Sequence, residues 1–304
     1  MILSLVVLYL AGAMVGGKKV VVPSGKKTTC GANAAVILGG LYDSGATETY
    51  SCDLVVEDVG KLEGLEAAVL MEQLVYCGGE HTNGVVSHIC FVNELGRWVE
   101  IESMNVARSR FTLTALGDNL LAVGGRNKDG FLSSMEIFDG SSWKLLPFNL
   151  TQSRYDHCAI PISESKVLVI GGEVEGNIDL STVEIYDINE GFMEQLPPMP
   201  TARYTHDCAF YNGEAYVAGG FNGHRLNVVE IYNPWLRSWR TGPPMLNARA
   251  DVTMEVVDDN LVVFGGSDGG YNSLQTMERF DGEAWREEPM QYQHSHHASV
   301  AISC

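Results

Sequence analysis

Positive charge is scarce in this sequence. Lys and Arg number 20 against 38 Asp and Glu, a formal net charge of −18 over 304 residues. A field of that sign repels phosphate backbones and anionic lipid surfaces, so neither nucleic acid nor a membrane is an expected partner. Proline is sparse too, at 10 residues, so the 33 glycines mark tight turns and not a Pro/Gly linker. There is no G-x-x-x-x-G-K-[ST] loop and no G-x-G-x-x-G between strand and helix. A phosphate cradle is therefore not expected. The seven cysteines (30, 52, 77, 90, 158, 208, 304) include no C-x-x-C and no His/Cys grouping at zinc-ligand spacing. Their odd number leaves at least one thiol unpaired in a monomer.

Long apolar runs are missing except at the start. Residues 2–17 are apolar apart from Ser4 and Tyr9, and are too short and glycine-rich to span a membrane comfortably. Ala11-Gly12-Ala13 fits the small-x-small pattern of signal cleavage, although no Lys or Arg precedes the apolar stretch. Residues 1–17 are thus expected to be a signal peptide and 18–32 a lead-in to the folded part. That places the protein in a secreted or luminal compartment; an uncleaved N-terminus would make it cytoplasmic. Asn149-Leu150-Thr151 is a glycosylation sequon, with Asn149 as the acceptor.

What the chain does have is a repeat. Gly-Gly pairs at 39–40, 78–79, 124–125, 171–172, 219–220 and 265–266 each close an apolar run such as Val-Leu-Val-Ile or Leu-Val-Val-Phe. Runs rich in β-branched residues that end in a breaker predict buried strands. A Glu-x-aromatic motif follows at Glu48, Glu136, Glu184, Glu230 and Glu278. Trp98, Trp143, Trp239 and Trp285 come next, with Met193 assigned to that slot in the fourth unit. Arg108, Arg154, Arg203 and Arg249 follow 10 or 11 residues later. Each unit then holds four short strands, and four strands per 46–48 residues predicts the blade of a β-propeller.

Six Gly-Gly strands predict six blades over residues 33–304, an all-β six-bladed ring. The segment after Trp285 resembles the strand that precedes each Gly-Gly run. Ten residues on, Ser295 is assigned to the arginine slot, and residues 298–304 are expected to be the innermost strand of the first blade. The ring is then closed by its C-terminal strand, leaving no open edge. This closure brings Cys304 near Cys30, and a Cys30–Cys304 disulfide is expected if the chain is secreted. Cys77 and Cys90, on neighbouring strands, are a second candidate pair.

The combination of Ala-Tyr-Val-Ala-Gly-Gly-Phe-Asn-Gly (215–223), Val-Val-Glu-Ile-Tyr-Asn-Pro (228–234) and Trp-Arg-Thr-Gly-Pro-Pro-Met (239–245) resembles the kelch repeat. The match is specific in the four units from residue 105 onward and weaker before it, where residues 53–64 depart from the pattern. The resemblance implies a kelch propeller, here expected without a BTB domain, that binds a protein partner through the loops and channel mouth of one face. It also brings an alternative, because kelch-like propellers include sugar mutarotases, epimerases and oxidases.

The repeat arginines are expected to bond loop carbonyls, and His157 and His206, three residues beyond theirs, to be packing residues. Two residues past each arginine the side chains differ: Arg110, Asp156, Thr205, Asp251 and, by count, His297. These are expected to face the channel mouth. The loops after the Gly-Gly pairs also vary, and loops on a rigid scaffold are good sites for specificity. Candidate partner-binding residues are accordingly Arg110, Arg126, Asp156, Phe221, His224, Arg225, Asp251, Tyr271 and Asn272. His294, His296 and His297 are expected to be solvated at the start of a strand. No catalytic residue, metal or cofactor is assigned. The partner is expected to be a protein, with a glycan as the alternative, and the chain a monomer. A mutarotase would require a carboxylate facing an arginine across the channel, for which Asp156 or Asp251 with Arg110 are the candidates. Copper chemistry finds only His297.

Overall fold

Each Gly-Gly run forms the second strand of an antiparallel meander. In the fifth blade, Asp207–Tyr211, Glu214–Ala218, Val229–Asn233 and Ser238–Thr241 pair in sequence order. The computed structural model describes residues 14–15, 18–19, 33–40, 47–50, 56–269 and 272–303. The remaining blades repeat the pattern around a ring. Blade 2 comprises Leu62–Leu70, Gln73–His81, Cys90–Glu94 and Arg97–Ile101. Blade 3 comprises Thr112–Leu116, Asn119–Val123, Ser134–Phe138 and Trp143–Asn149. Blade 4 comprises Cys158–Pro161, Lys166–Ile170, Val183–Asp187 and Gly191–Leu196. Blade 6 comprises Thr253–Val257, Asn260–Phe264, Leu274–Phe280 and Trp285–His294.

Blade 1 is assembled from both ends of the chain. Ala298–Ser303 pairs with Asn33–Leu38, in register from Ala298↔Leu38 to Ser303↔Asn33, and Glu48–Tyr50 lies on the other side. The closure expected from the sequence is therefore present, and all six blades follow. Cys30, Cys304, Tyr271 and most of the expected signal peptide (1–17) and lead-in (18–32) lie outside the described residues.

The second strands are buried on both faces because each sheet is sandwiched between two others. Leu120, Leu121, Ala122 and Val123 are fully buried, as are Leu261, Val262, Val263 and Phe264. The tryptophans seal the outer part of the wedge. Trp98, Trp143, Trp239 and Trp285 donate Nε1–H to the carbonyls of Glu57, Glu102, Pro197 and Pro243, each in the linker ahead of that blade. At Trp143 and Trp285 the ring is buried and its one polar group satisfied, avoiding a cost of about 1–3 kcal/mol for an unpaired donor, whereas Trp98 and Trp239 are half-buried. Met193 does not take this slot in blade 4. A register shift after Ile185 sets Phe192 opposite Tyr186, where Trp143 lies opposite Phe138 in blade 3; Met193 is exposed.

A buried Arg–Glu ion pair holds each of blades 3, 4, 5 and 6 near its inner end. Arg108, Arg154, Arg203 and Arg249 have no exposed surface, and their Nη2 atoms lie 2.8, 3.1, 2.9 and 2.8 Å from Glu136, Glu184, Glu230 and Glu278. Their Nη1 atoms donate to the carbonyls of Gly124, Gly171, Gly219 and Gly265. The glutamates reach back to linker amides, as when Glu136 accepts from Asn105 and Val106. Such pairs are retained only when every charge is met, because a lone buried charge is costly.

Two blades depart from this scheme. The arginine position is marked by a carbonyl that accepts from the second glycine of the preceding blade: Gly79 N–H to Arg108, Gly125 to Arg154, Gly266 to His294 and Gly40 to Leu62. His294, not Ser295, therefore fills the slot facing Glu48, and Leu62 fills the slot in blade 2. There Cys90 takes the glutamate's position and is bonded to Cys77 across the strand pair. An apolar residue and a disulfide replace the ion pair. The histidines are not solvated either: His294 and His297 are buried.

Candidate functional site

Directly after each ion-pair residue the chain turns across the axis and builds the channel mouth. Six residues form a closed hydrogen-bonded ring. Arg110 N–H donates to Gly64 O, Asp156 to Arg110, Thr205 to Asp156, Asp251 to Thr205, His296 to Asp251 and Gly64 to His296, at 2.8 to 3.3 Å. All six have positive φ, between 49° and 60°. Five are not glycine, and each such left-handed residue costs on the order of 1–3 kcal/mol. The ring corrects the count in the last unit, where His296 and not His297 stands at the mouth. His297 instead lines the channel wall and lies 2.8 Å from Thr253 Oγ1 through Nε2. His157 and His206 pack beneath the mouth, where a Cβ on Gly172 or Gly220 would meet them within 3 Å.

The mouth side chains are tied together. Arg110 pairs with Glu63 and, at 3.1 Å, with Asp156. His296 Nε2 lies 2.9 Å from Asp251 Oδ1, and Ser267 Oγ donates to Asp251 Oδ2. The two aspartates titrate in opposite directions. Burial dominates at Asp156 and raises it despite Arg110. At Asp251 burial acts the same way, but hydrogen bonds from His296 and Ser267 leave it below the usual carboxylate value. Of the pairs named for a mutarotase, Arg110 and Asp156 meet at the rim, while Asp251 is held by His296 and Ser267.

Loop tips are anchored to this ring by the residue just before it. Ser109, Tyr155, Tyr204 and Ala250 bridge to Arg126, Glu173, Phe221 and Ser267, the residues after four of the Gly-Gly pairs. This slot holds tyrosine in blades 4 and 5, a small residue at Ser109, Ala250 and Ser295, and Glu63 in blade 2. The result is an arc of rings: Phe131–Tyr155 at 4.6 Å, Tyr155–Tyr204 at 6.4 Å and Tyr204–Phe221 at 5.7 Å. Where the slot shrinks to Ala250 and Ser295, a pocket of about 300 Å³ opens, lined also by Arg110, Tyr204, Thr205, Phe221, Arg225 and Asp251.

The structure thus brings together Arg110, Asp156, Asp251, Phe221 and Arg225. Arg126 stands at one end of the arc, over the Tyr155 ring and paired with Glu80. His224 and Asn272 are exposed on the loops of blades 5 and 6. Tyr155, Tyr204, Glu173 and His296 were missed by sequence reasoning. The phase that marked Arg110 and Asp156 also marks the residue before them, and a tyrosine there in two adjacent units was the signal.

Below the mouth the channel narrows to a cavity of about 90 Å³ that includes Glu66 and Asp207 in its lining. Burial pushes Asp207 up to about 7 and the neighbouring Glu255 up to about 8. Cys158 and Cys208 join the inner strands of blades 4 and 5 in a disulfide. Among the described residues, the close grouping of metal-ligating atoms is Cys158, Asp207 and Cys208, within 4.8 Å, and its two sulfurs are bonded to each other. No helix is present that is long and apolar enough to cross a membrane, among the described residues.

The blade plan, the Gly-Gly turns and the arginine-anchored linkers find a direct match. A family model described as the kelch motif matches residues 107–147, 202–246 and 248–289. This chain is a kelch-repeat protein. Its kelch region is similar to Kelch-like protein 36 of Mus musculus, 28% identical over 200 residues, covering 62% of this chain and 32% of that protein. It is also similar to Kelch-like protein 26 of Danio rerio, 27% identical over 223 residues, covering 68% and 36%. Kelch-like protein 15 of Homo sapiens is 26% identical over 219 residues, covering 63% and 36%. The chain spans about a third of the length of the curated relatives it matches.

Proposed function

We propose that this kelch propeller is a non-catalytic interaction module that seats a protein partner on the mouth and loops of one face. The observation that carries this reading is the contrast between frame and mouth. Glycine pairs, buried arginines and their glutamates recur blade after blade, whereas the mouth ring runs Gly64, Arg110, Asp156, Thr205, Asp251, His296. Five of these keep a strained left-handed backbone without glycine's freedom. Aromatic and arginine side chains, which dominate interface energetics, are concentrated on one side of that ring. Phe221, Arg225, Arg126 and Arg110 belong to this surface, with His224 and Asn272 at its edge.

The test is recovery of binding partners on immobilised protein. Phe221→Ala/His224→Ala/Arg225→Ala is expected to lose the partners that the unaltered chain retains, while Glu94→Gln/Glu100→Gln on the outer strands of blade 2 keeps them. Retention by the mouth variant would end this reading.

The compartment we propose is secreted or luminal, and the working unit is a monomer. The apolar N-terminus with Ala11-Gly12-Ala13 supports export, as do two buried disulfides, which are rare in reducing compartments. Asn149 is exposed at the end of its strand, as a glycan acceptor must be.

A further inference from the structure

We infer that the blade 4 side of the mouth receives a cationic side chain, a lysine or arginine on a basic segment of the partner, held against Glu173, Asp179 and the Tyr155–Tyr204 ring pair. The inference rests on the mouth being the contact face and names the chemistry that face selects.

Charge pairing comes first. Arg110 is bound to Glu63 and Asp156, and Arg126 to Glu80. Arg225 Nε donates to the carbonyl and hydroxyl of Ser267, and its guanidinium lies over Phe221 at 5.9 Å. The mouth's own cations are therefore engaged. Glu173 and Asp179 are not matched in this way. They face each other directly across a two-residue ribbon, Glu173–Val174 against Ile178–Asp179. Among the described residues neither has a cationic group within 4.0 Å. Like charges opposite one another on paired strands are destabilising, and a cation between them reverses the sign of the interaction.

Two further features point to an occupant. Thr205 Oγ1 has no hydrogen-bond partner, although the residue is only 8% exposed, and it lines the pocket beside Tyr204. An unmet buried hydroxyl in an open pocket fits a ligand group. The aromatic faces also already hold cations of this chain, as Arg126 over Tyr155 at 5.8 Å shows. Tyr204 links the two features. Burial, joined by the fields of Glu173, Asp179, Asp156 and Asp251, pushes its phenol up to about 12, so the ring stands among four carboxylates.

The test is fluorescence anisotropy with fluorescein-labelled octalysine and octaglutamate at physiological salt. Octalysine is expected to bind, and Glu173→Gln/Asp179→Asn to weaken it at least tenfold. Glu94→Gln/Glu100→Gln, which removes the same charge on the far rim, is expected to change it less than twofold. Both charge-neutral pairs keep the side-chain shapes, and an unchanged melting temperature verifies the fold. Equal weakening by the two variants, or absence of octalysine binding, overturns the inference. Octaglutamate binding that is lost in His224→Ala/Arg225→Ala overturns it while preserving the mouth as the contact face. If neither peptide's binding responds to any mouth substitution, both readings fall.

Discussion

Glu48 Oε2 lies 3.3 Å from His294 Nε2, in the place where four other blades hold a glutamate against an arginine. The ring's Nδ1 lies 3.4 Å from the Gly39 carbonyl, matching the contact that each arginine's Nη1 makes with its own glycine carbonyl. Glu48 also accepts from the amides of Gln291 and Tyr292. Blade 1 thus keeps the logic of the repeat with a titratable substitute, at the one junction where the two ends of the chain meet.

Burial pushes the Glu48 carboxyl up, but the bonds from His294 and the two amides together leave it below its ordinary value. A depressed carboxylate contributes stability that is present above the unfolded value of about 4.3 and is lost as pH falls through the folded value. Glu48→Gln is expected to lower the melting temperature at pH 7, with the gap closing below pH 4. A gap of the same size at pH 3, measured by thermal denaturation, contradicts this linkage.

The arginine pairs make a sharper mutational claim. Arg249→Met leaves Glu278 buried beside nothing cationic and is expected to cost about 3–5 kcal/mol in urea unfolding. Glu278 also accepts from the amides of Leu246 and Asn247, which a glutamine oxygen can still do. Arg249→Met/Glu278→Gln is therefore expected to be more stable than the single variant. Additive losses would show that the charge itself is not what the arginine neutralises.

The frame was legible in the sequence because each part of it repeats a chemistry: Gly-Gly where two left-handed residues turn, Trp where a ring meets a linker carbonyl, Arg where a buried Glu waits. The failures came where spacing or chemistry changed. Trp285 to His294 is nine residues, against 10 or 11 from tryptophan to arginine in the other units, so a ten-residue count falls on Ser295 and then His297. Cys90 hid the second blade's pair by replacing its glutamate with half of a disulfide. Cys158 and Cys208 are 50 residues apart yet occupy nearly the same phase in adjacent units, a signal that local reading passes over. At the mouth, Arg110, Asp156 and Asp251 were legible as a phase, whereas the Glu173–Asp179 ribbon depended on a pairing within one loop.

Disulfide removal is expected to scale with the loop each bond closes. On chain-entropy grounds, Cys158→Ser/Cys208→Ser should cost about 4 kcal/mol and Cys77→Ser/Cys90→Ser about 3, for separations of 50 and 13 residues. Urea unfolding of the two double variants checks the order. A larger loss from the 77–90 pair would contradict it.

Channel carboxyls give the opposite pH dependence to Glu48. Asp207 is pushed up to about 7 and Glu255 up to about 8, chiefly by burial. A raised acid contributes stability that is fully present below the unfolded value and lost as pH rises through the folded one. The protein is expected to melt at a lower temperature at pH 9 than at pH 6, and Asp207→Asn/Glu255→Gln to flatten that fall. An equally steep fall in the variant would place its origin elsewhere.

The mouth exists only if Ala298–Ser303 completes the blade that Asn33–Leu38 begins, because that closure delivers His296 to Asp251. Hydrogen–deuterium exchange of the purified chain measures this directly. The account predicts that peptides covering 298–303 and 33–38 exchange as slowly as the 119–123 strand of blade 3. Exchange of 298–303 within seconds, with 119–123 still protected, would contradict the closed six-bladed ring and the contact face built on it.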